Sequence, residues 1–66
     1  MQVQVNDEPV TLNGVTTLAA ALKAAGFGDE GFAVAVNMAF VPRPQRQEFT
    51  LKDGDRIDVV VPMQGG

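Results

Sequence analysis

The sequence predicts an α+β domain in which a mixed sheet of four or five strands carries one helix packed across one face. Three observations predict it. Apolar and polar residues alternate over residues 1–5, a period of two that belongs to strands, and residues 56–61 are a valine-rich strand ended by Pro62. Residues 17–25 alone repeat their apolar positions at helical spacing. Finally, 66 residues leave room for one domain. By surface scaling such a chain exposes roughly 4,000 Å² folded against roughly 10,000 Å² unfolded, so one sheet and one helix exhaust the core it can bury.

Taken in order, Met1, Val3 and Val5 fall on one face of the first strand, with Gln2 and Gln4 on the other. Asn6-Asp7-Glu8-Pro9 is turn chemistry, because Asn and Asp tolerate tight backbone and Pro lacks the donor a ladder needs. Val10-Thr11-Leu12 resumes the alternation, so residues 2–12 form a hairpin. Leu18, Ala21, Leu22 and Ala25 then share a helix face, and the alanines add helix propensity. Thr16 or Thr17 is the expected N-cap. Gly26 stands where a C′ glycine belongs, with Phe27 placed to close a Schellman-type stop. Residues 28–31 are a loop, and residues 32–36 alternate large and small as a strand. Asn37-Met38 turns the chain into a short strand around Phe40-Val41. Pro42 and Pro44 forbid a regular ladder over residues 42–47, which suits a loop with a 3₁₀ turn. Asp53-Gly54 is a turn, residues 56–61 are the last strand, and Pro62 ends it. Residues 1–61 are therefore the domain and residues 62–66 a mobile tail.

The first and last strands are the most apolar, so they belong side by side at the centre. Starting from a hairpin, that placement makes the central pair parallel and the sheet mixed. This is the β-grasp arrangement.

Composition excludes much. With no Cys and no His, disulfides, Cys/His zinc sites, thiol nucleophiles and imidazole acid–base chemistry are all ruled out. A net charge of −3 and a pI near 4.5 argue against nucleic acid, whose phosphates need a basic footprint. No segment is long and apolar enough to span a bilayer, and residues 1–5 do not read as a signal peptide. A small soluble intracellular domain that works by being bound is what remains.

Several patterns suggest chemistry, and most have a plainer reading. Residues 26–31 fit G-x-G-x-x-G, but they follow a helix and enter a strand, and Asp29 and Glu30 would repel phosphate. Asp53, Asp55 and Asp58 cluster in sequence, yet Asp53-Gly54-Asp55 is turn sequence and Asp58 shares a strand face with Arg56, so solvated turn outweighs metal or acid–base site. Arg43, Arg46, Lys52 and Arg56 interleave with carboxylates and read mostly as solvated surface. Arg43, between two prolines, is the one held rigidly enough to be a docking contact. If Ile57, Val59 and Val61 point inward, then Val60 points out, as do Ala33 and Ala35. Those three are a candidate apolar docking patch, set against the ordinariness of scattered exposed apolar residues.

The last two residues, Gly65 and Gly66, are the most suggestive. Residues 62–66 span up to ~17 Å when extended. Without side chains the glycines pass a narrow channel and adopt whatever backbone shape an active site requires. A terminal carboxylate, with a usual pKa near ~3.5, is ionised and inert to nucleophiles at neutral pH. A partner must activate it, most simply as an acyl-adenylate.

An Asn6-centred first turn, Thr16-Thr17-Leu18, Val34-Ala35-Val36-Asn37, Val41-Pro42-Arg43, Asp53-Gly54-Asp55-Arg56-Ile57 and the final Gly65-Gly66 occur in this order along the whole chain. That set resembles the ubiquitin-like sulfur carriers, and within them the ThiS family of thiamin (thiazole) biosynthesis. The resemblance implies a cytoplasmic cosubstrate rather than an enzyme, with no bound cofactor, no metal and no catalytic side chain. A ubiquitin-activating-type adenylyltransferase would use ATP to adenylate Gly66. A persulfide-bearing sulfurtransferase or cysteine desulfurase system would convert it to a thiocarboxylate, and thiazole synthase would consume the sulfur. Gly65 would be the threading residue. Three alternatives share the fold: a molybdopterin synthase small subunit, a protein modifier joined to lysines through Gly66, and a plain interaction module.

Overall fold

Strand β1 (Gln2–Val5) buries Val3 and Val5 and exposes Gln2 and Gln4, as the alternation requires. The computed structural model describes residues 1–27 and 31–61. Asn6 and Asp7 both take positive φ, 50° and 68°, the conformation of a two-residue type I′ turn whose twist suits a hairpin. β2 (Glu8–Thr11) returns antiparallel, with Glu8 opposite Val5 and Thr11 opposite Gln2. The expected four-residue turn is therefore two residues long, and Pro9 lies within β2 opposite Gln4. Pro is tolerated there because β2 is an edge strand, where one missing donor costs the sheet nothing.

Helix α1 (Leu18–Ala24) starts and stops where local chemistry dictates. Thr17 is the N-cap, its Oγ1 accepting from the Ala20 amide at 3.2 Å. The two other orphan amides of the first turn are satisfied by a distant segment. Leu18 N donates to the Phe49 carbonyl at 2.8 Å and Ala19 N to the Arg46 carbonyl at 3.0 Å. At the far end Gly26 sits at φ 94°. Phe27 N donates to the Leu22 carbonyl and Gly26 N to the Lys23 carbonyl, which is the complete Schellman pair.

β3 (Ala33–Val36) and β4 (Ala39–Phe40) are joined by a second turn with two positive φ values, 51° at Asn37 and 71° at Met38. A 3₁₀ turn at Arg43–Gln45 follows, as the two prolines suggest. β5 (Arg56–Val60) completes a five-stranded sheet in the order β2-β1-β5-β3-β4. β1 and β5 run parallel at its centre, and the other pairs are antiparallel. The fold is the expected β-grasp.

The core lies between the sheet and α1. Leu18, Leu51, Ile57, Val3 and Val34 are its largest fully buried side chains, and Ala21 and Leu22 are the buried helix face. Two expectations fail. Val61 was expected to point inward, but it is 61% exposed. It lies beyond Ala33 opposite Val60, the last strand pair, so alternation no longer buries it. Arg46, read as solvated surface, is only 7% exposed. Its Nη2 donates to the Phe32 carbonyl at 3.0 Å, and its guanidinium lies 4.6 Å from the centre of the Phe32 ring. The partly buried Phe32 just before β3, offering both its ring and its carbonyl to the guanidinium, makes this burial feasible.

Candidate functional site

The sheet face away from α1 divides into two halves. Pairing sets Val60 opposite Ala33, and Ala35 opposite both Asp58 and Phe40. Cross-strand partners share a face, so Ala33, Ala35, Phe40 and Val60 form one apolar area. Val60 is 63% exposed and Phe40 67%; Ala33 is exposed and Ala35 half-buried. Gln2, Gln4, Thr11, Arg56 and Asp58 make the polar half. There Arg56 Nη2 donates to Asp7 Oδ1 at 2.9 Å, and its Nε lies 3.9 Å from Asp58 Oδ1. These pairs are well exposed and contribute little to stability.

The register thus gathers three of the sequence-predicted docking residues, Ala33, Ala35 and Val60. Arg43 is exposed in the 3₁₀ turn after β4. Phe40 was missed. In a two-residue strand, alternation gives no parity, so Phe40-Val41 does not say which residue faces out. The signal was in the turn: two residues at Asn37-Met38 set Val36 opposite Ala39, which fixes Phe40 on the face of Ala35.

The other candidate constellations dissolve into structural roles. Asp53 Oδ1 accepts from the Gln2 amide at 2.7 Å. Asp55 accepts from the Lys52 amide at 2.8 Å and from Asn37 Nδ2 at 3.0 Å. Among the described residues, no group of Asp, Glu, His or Cys is placed to hold a metal ion, and no helix is long and apolar enough to cross a membrane. In the G-x-G-x-x-G pattern, Gly26 is the helix stop, Gly31 lies at φ 86° just before β3, and residues 28–30 lie outside the described set. Its place between a helix and a strand is the reverse of a dinucleotide site.

Gly65 and Gly66, and the whole expected tail of residues 62–66, also lie outside the described residues. The root from which they continue is well held. Val60 pairs with Ala33 on one side of β5. On the other side the Val59 amide donates to Asn6 Oδ1 at 2.8 Å.

Comparison with known proteins places this geometry. No curated protein sequence matches the chain. The crystal structure of the thiamine biosynthesis protein ThiS from Geobacter metallireducens superposes with a TM-score of 0.81 at 29% identity, covering 100% of both chains. The solution NMR structure of a thiamine biosynthesis protein from the same organism gives a TM-score of 0.77 at 29% identity, covering 100% of this chain and 88% of the other. The family model for ThiS matches residues 3–66. The match runs from β1 through the terminal Gly65-Gly66, and the chain belongs to the ThiS family.

Proposed function

We propose that this protein is the sulfur carrier for thiazole formation in thiamin biosynthesis, with Gly66 as the residue that bears the sulfur. The observation that carries the reading is the family match, which extends over residues 3–66 and so includes the diglycine end. In the proposed cycle a Gly66 carboxylate oxygen attacks the α-phosphorus of ATP on a ubiquitin-activating-type adenylyltransferase, and pyrophosphate leaves. The terminal sulfur of a persulfide, supplied by a sulfurtransferase or cysteine desulfurase system, then displaces AMP from the acyl carbon. A thiol cleaves the S–S bond, leaving the thiocarboxylate that thiazole synthase consumes. The chain is a cosubstrate, and ATP is consumed by the partner as its other substrate. Gly65 threads the channel, and the area of Val60, Ala33 and Ala35, together with Arg43, docks the body. One physical point supports this division of labour: a carboxylate must be activated before any nucleophile displaces its oxygen.

The test is intact mass after incubation with ATP, the adenylyltransferase and the persulfide-bearing sulfurtransferase. Exchange of one oxygen for sulfur at the C-terminus is the expected result. Adducts on lysines of other proteins would mark a modifier instead, and an unchanged mass would overturn the reading.

A further inference from the structure

Strand β5 is clasped near each end by an asparagine side chain reaching from a hairpin turn. At its start, Asn37 Oδ1 accepts from the Arg56 amide at 3.0 Å, while Asn37 N donates to the Arg56 carbonyl at 2.7 Å. Near its end, Asn6 Oδ1 accepts from the Val59 amide at 2.8 Å, while Asn6 N donates to the Ile57 carbonyl at 2.9 Å. Both asparagines sit at positive φ, 51° and 50°, a conformation Asn tolerates better than most residues. The second clasp has a particular purpose. The parallel pairing of β1 with β5 ends at Val5 opposite Ile57, because β1 turns away into its hairpin. The Val59 amide, on that side of β5, finds its acceptor in the Asn6 side chain instead of in a strand.

We propose that Asn6 is a positioning residue for the carrier reaction, fixing the root of the C-terminal segment relative to the docking face. The inference rests on the sulfur-carrier reading. Val60 belongs to that face, opposite Ala33, and the five residues after Val61 must deliver the Gly66 carboxyl group. Residues 59–61 are therefore the covalent link between the docked body and the reacting carbon. Without Asn6, that link is held from the β3 side only. Once residues 62–66 are drawn out in the partner's channel, as the carrier reading requires, a shift at the root changes where the Gly66 carboxyl group arrives, and a misplacement of ~1 Å at a reacting atom can cost about a hundredfold in rate. Asn37 makes an equivalent clasp at the far end of the strand, so it serves the fold and not the delivery.

That contrast supplies the experiment. Asn6→Gly keeps the positive φ without strain and deletes the acceptor; Asn6→Asp keeps an acceptor oxygen; Asn37→Gly is the control. Amide hydrogen exchange at Val59 is measured on the free protein, and ATP–pyrophosphate exchange is measured with the adenylyltransferase of the source organism. Asn6→Gly should lose protection at Val59 and lose about tenfold or more in kcat, with KM for the carrier changing far less because Val60 stays paired with Ala33. Asn6→Asp should restore both. Asn37→Gly should lower the melting temperature to a similar extent and keep kcat. Should Asn6→Gly not fold, Asn6→Ser repeats the test, since its hydroxyl can still serve the turn but is too short to reach Val59. Wild-type kcat with Val59 unprotected overturns the proposal, as does retained protection in the glycine variant or an equal kcat loss in Asn37→Gly. A wild-type protein that supports no exchange at all instead overturns the carrier reading on which the proposal rests.

Discussion

Arg46 carries a full charge into a space that leaves it 7% exposed, and its balance of gains and costs is close. The bond from Nη2 to the Phe32 carbonyl is charge-assisted and stabilises by about 1.5–3 kcal/mol, and the stacking on the ring adds up to about 2 kcal/mol. Against this, Nε is buried with no hydrogen-bond partner, at a cost of about 1–3 kcal/mol. Arg46→Met, which keeps the stem and removes the head, should therefore destabilise by only about 1–2 kcal/mol. Arg46→Ala should cost more because the stem's packing goes too. Thermal melts of the two variants decide it, and a methionine variant more stable than wild type would show that the guanidinium is a net burden. Sequence reading missed this burial for a physical reason. Arg46 stands among interleaved charges, and nothing local distinguishes it from its solvated neighbours. Asn6 and Asn37 were legible as turn formers because tolerance of positive φ is a property of the residue itself. Their reach to Val59 and Arg56 spans 53 and 19 positions, which no local pattern encodes.

At the scale of the element, α1 shows how little a short helix owes to itself. Seven residues cannot hold a helix in water, so its ends and its buried face must. The sequence announced the ends, since Thr17, Gly26 and Phe27 act through bonds to near neighbours. It did not announce that the carbonyls of Arg46 and Phe49 cap the first turn, because that depends on a loop distant in sequence being folded back. The buried face was legible from spacing alone, and Leu22 is its test. At 2% exposure, Leu22→Ala should cost about 2–5 kcal/mol, in a domain of a size whose core rarely supplies more than ~3–5 kcal/mol. The variant should be largely unfolded at growth temperature. A cooperative melt close to wild type would mean that the helix packs through other residues. The misjudged turn at residues 6–9 belongs to this scale as well: Pro9 argues against a ladder only in a central strand, and which strand is an edge is decided by the whole sheet.

Across the whole molecule, the central parallel pair followed from placing the first and last strands side by side, and register then determined what the outer face presents. Val60→Asp tests that face. Val60 is 63% exposed and should accept the charge with its circular dichroism spectrum unchanged. Binding to the adenylyltransferase should weaken if Val60, Ala33, Ala35 and Phe40 are the contact, and an unchanged titration would remove the patch from the mechanism. The chemistry itself is tested at the other end of the link. Deleting Gly66 leaves Gly65 with a glycine carboxylate and changes only reach, by about 3.5 Å for one extended residue. Appending one alanine overshoots by the same amount. Gly65→Val keeps the reach but puts a branched side chain where the proposed threading requires a narrow channel. None of the three alters a core residue, so all should melt like wild type. All should nevertheless fail in ATP–pyrophosphate exchange, because an in-line attack on phosphorus tolerates only about 1 Å of misplacement before losing on the order of a hundredfold in rate. A deletion or extension that still formed the adenylate and accepted sulfur would show that the carboxyl group is not delivered by measured reach.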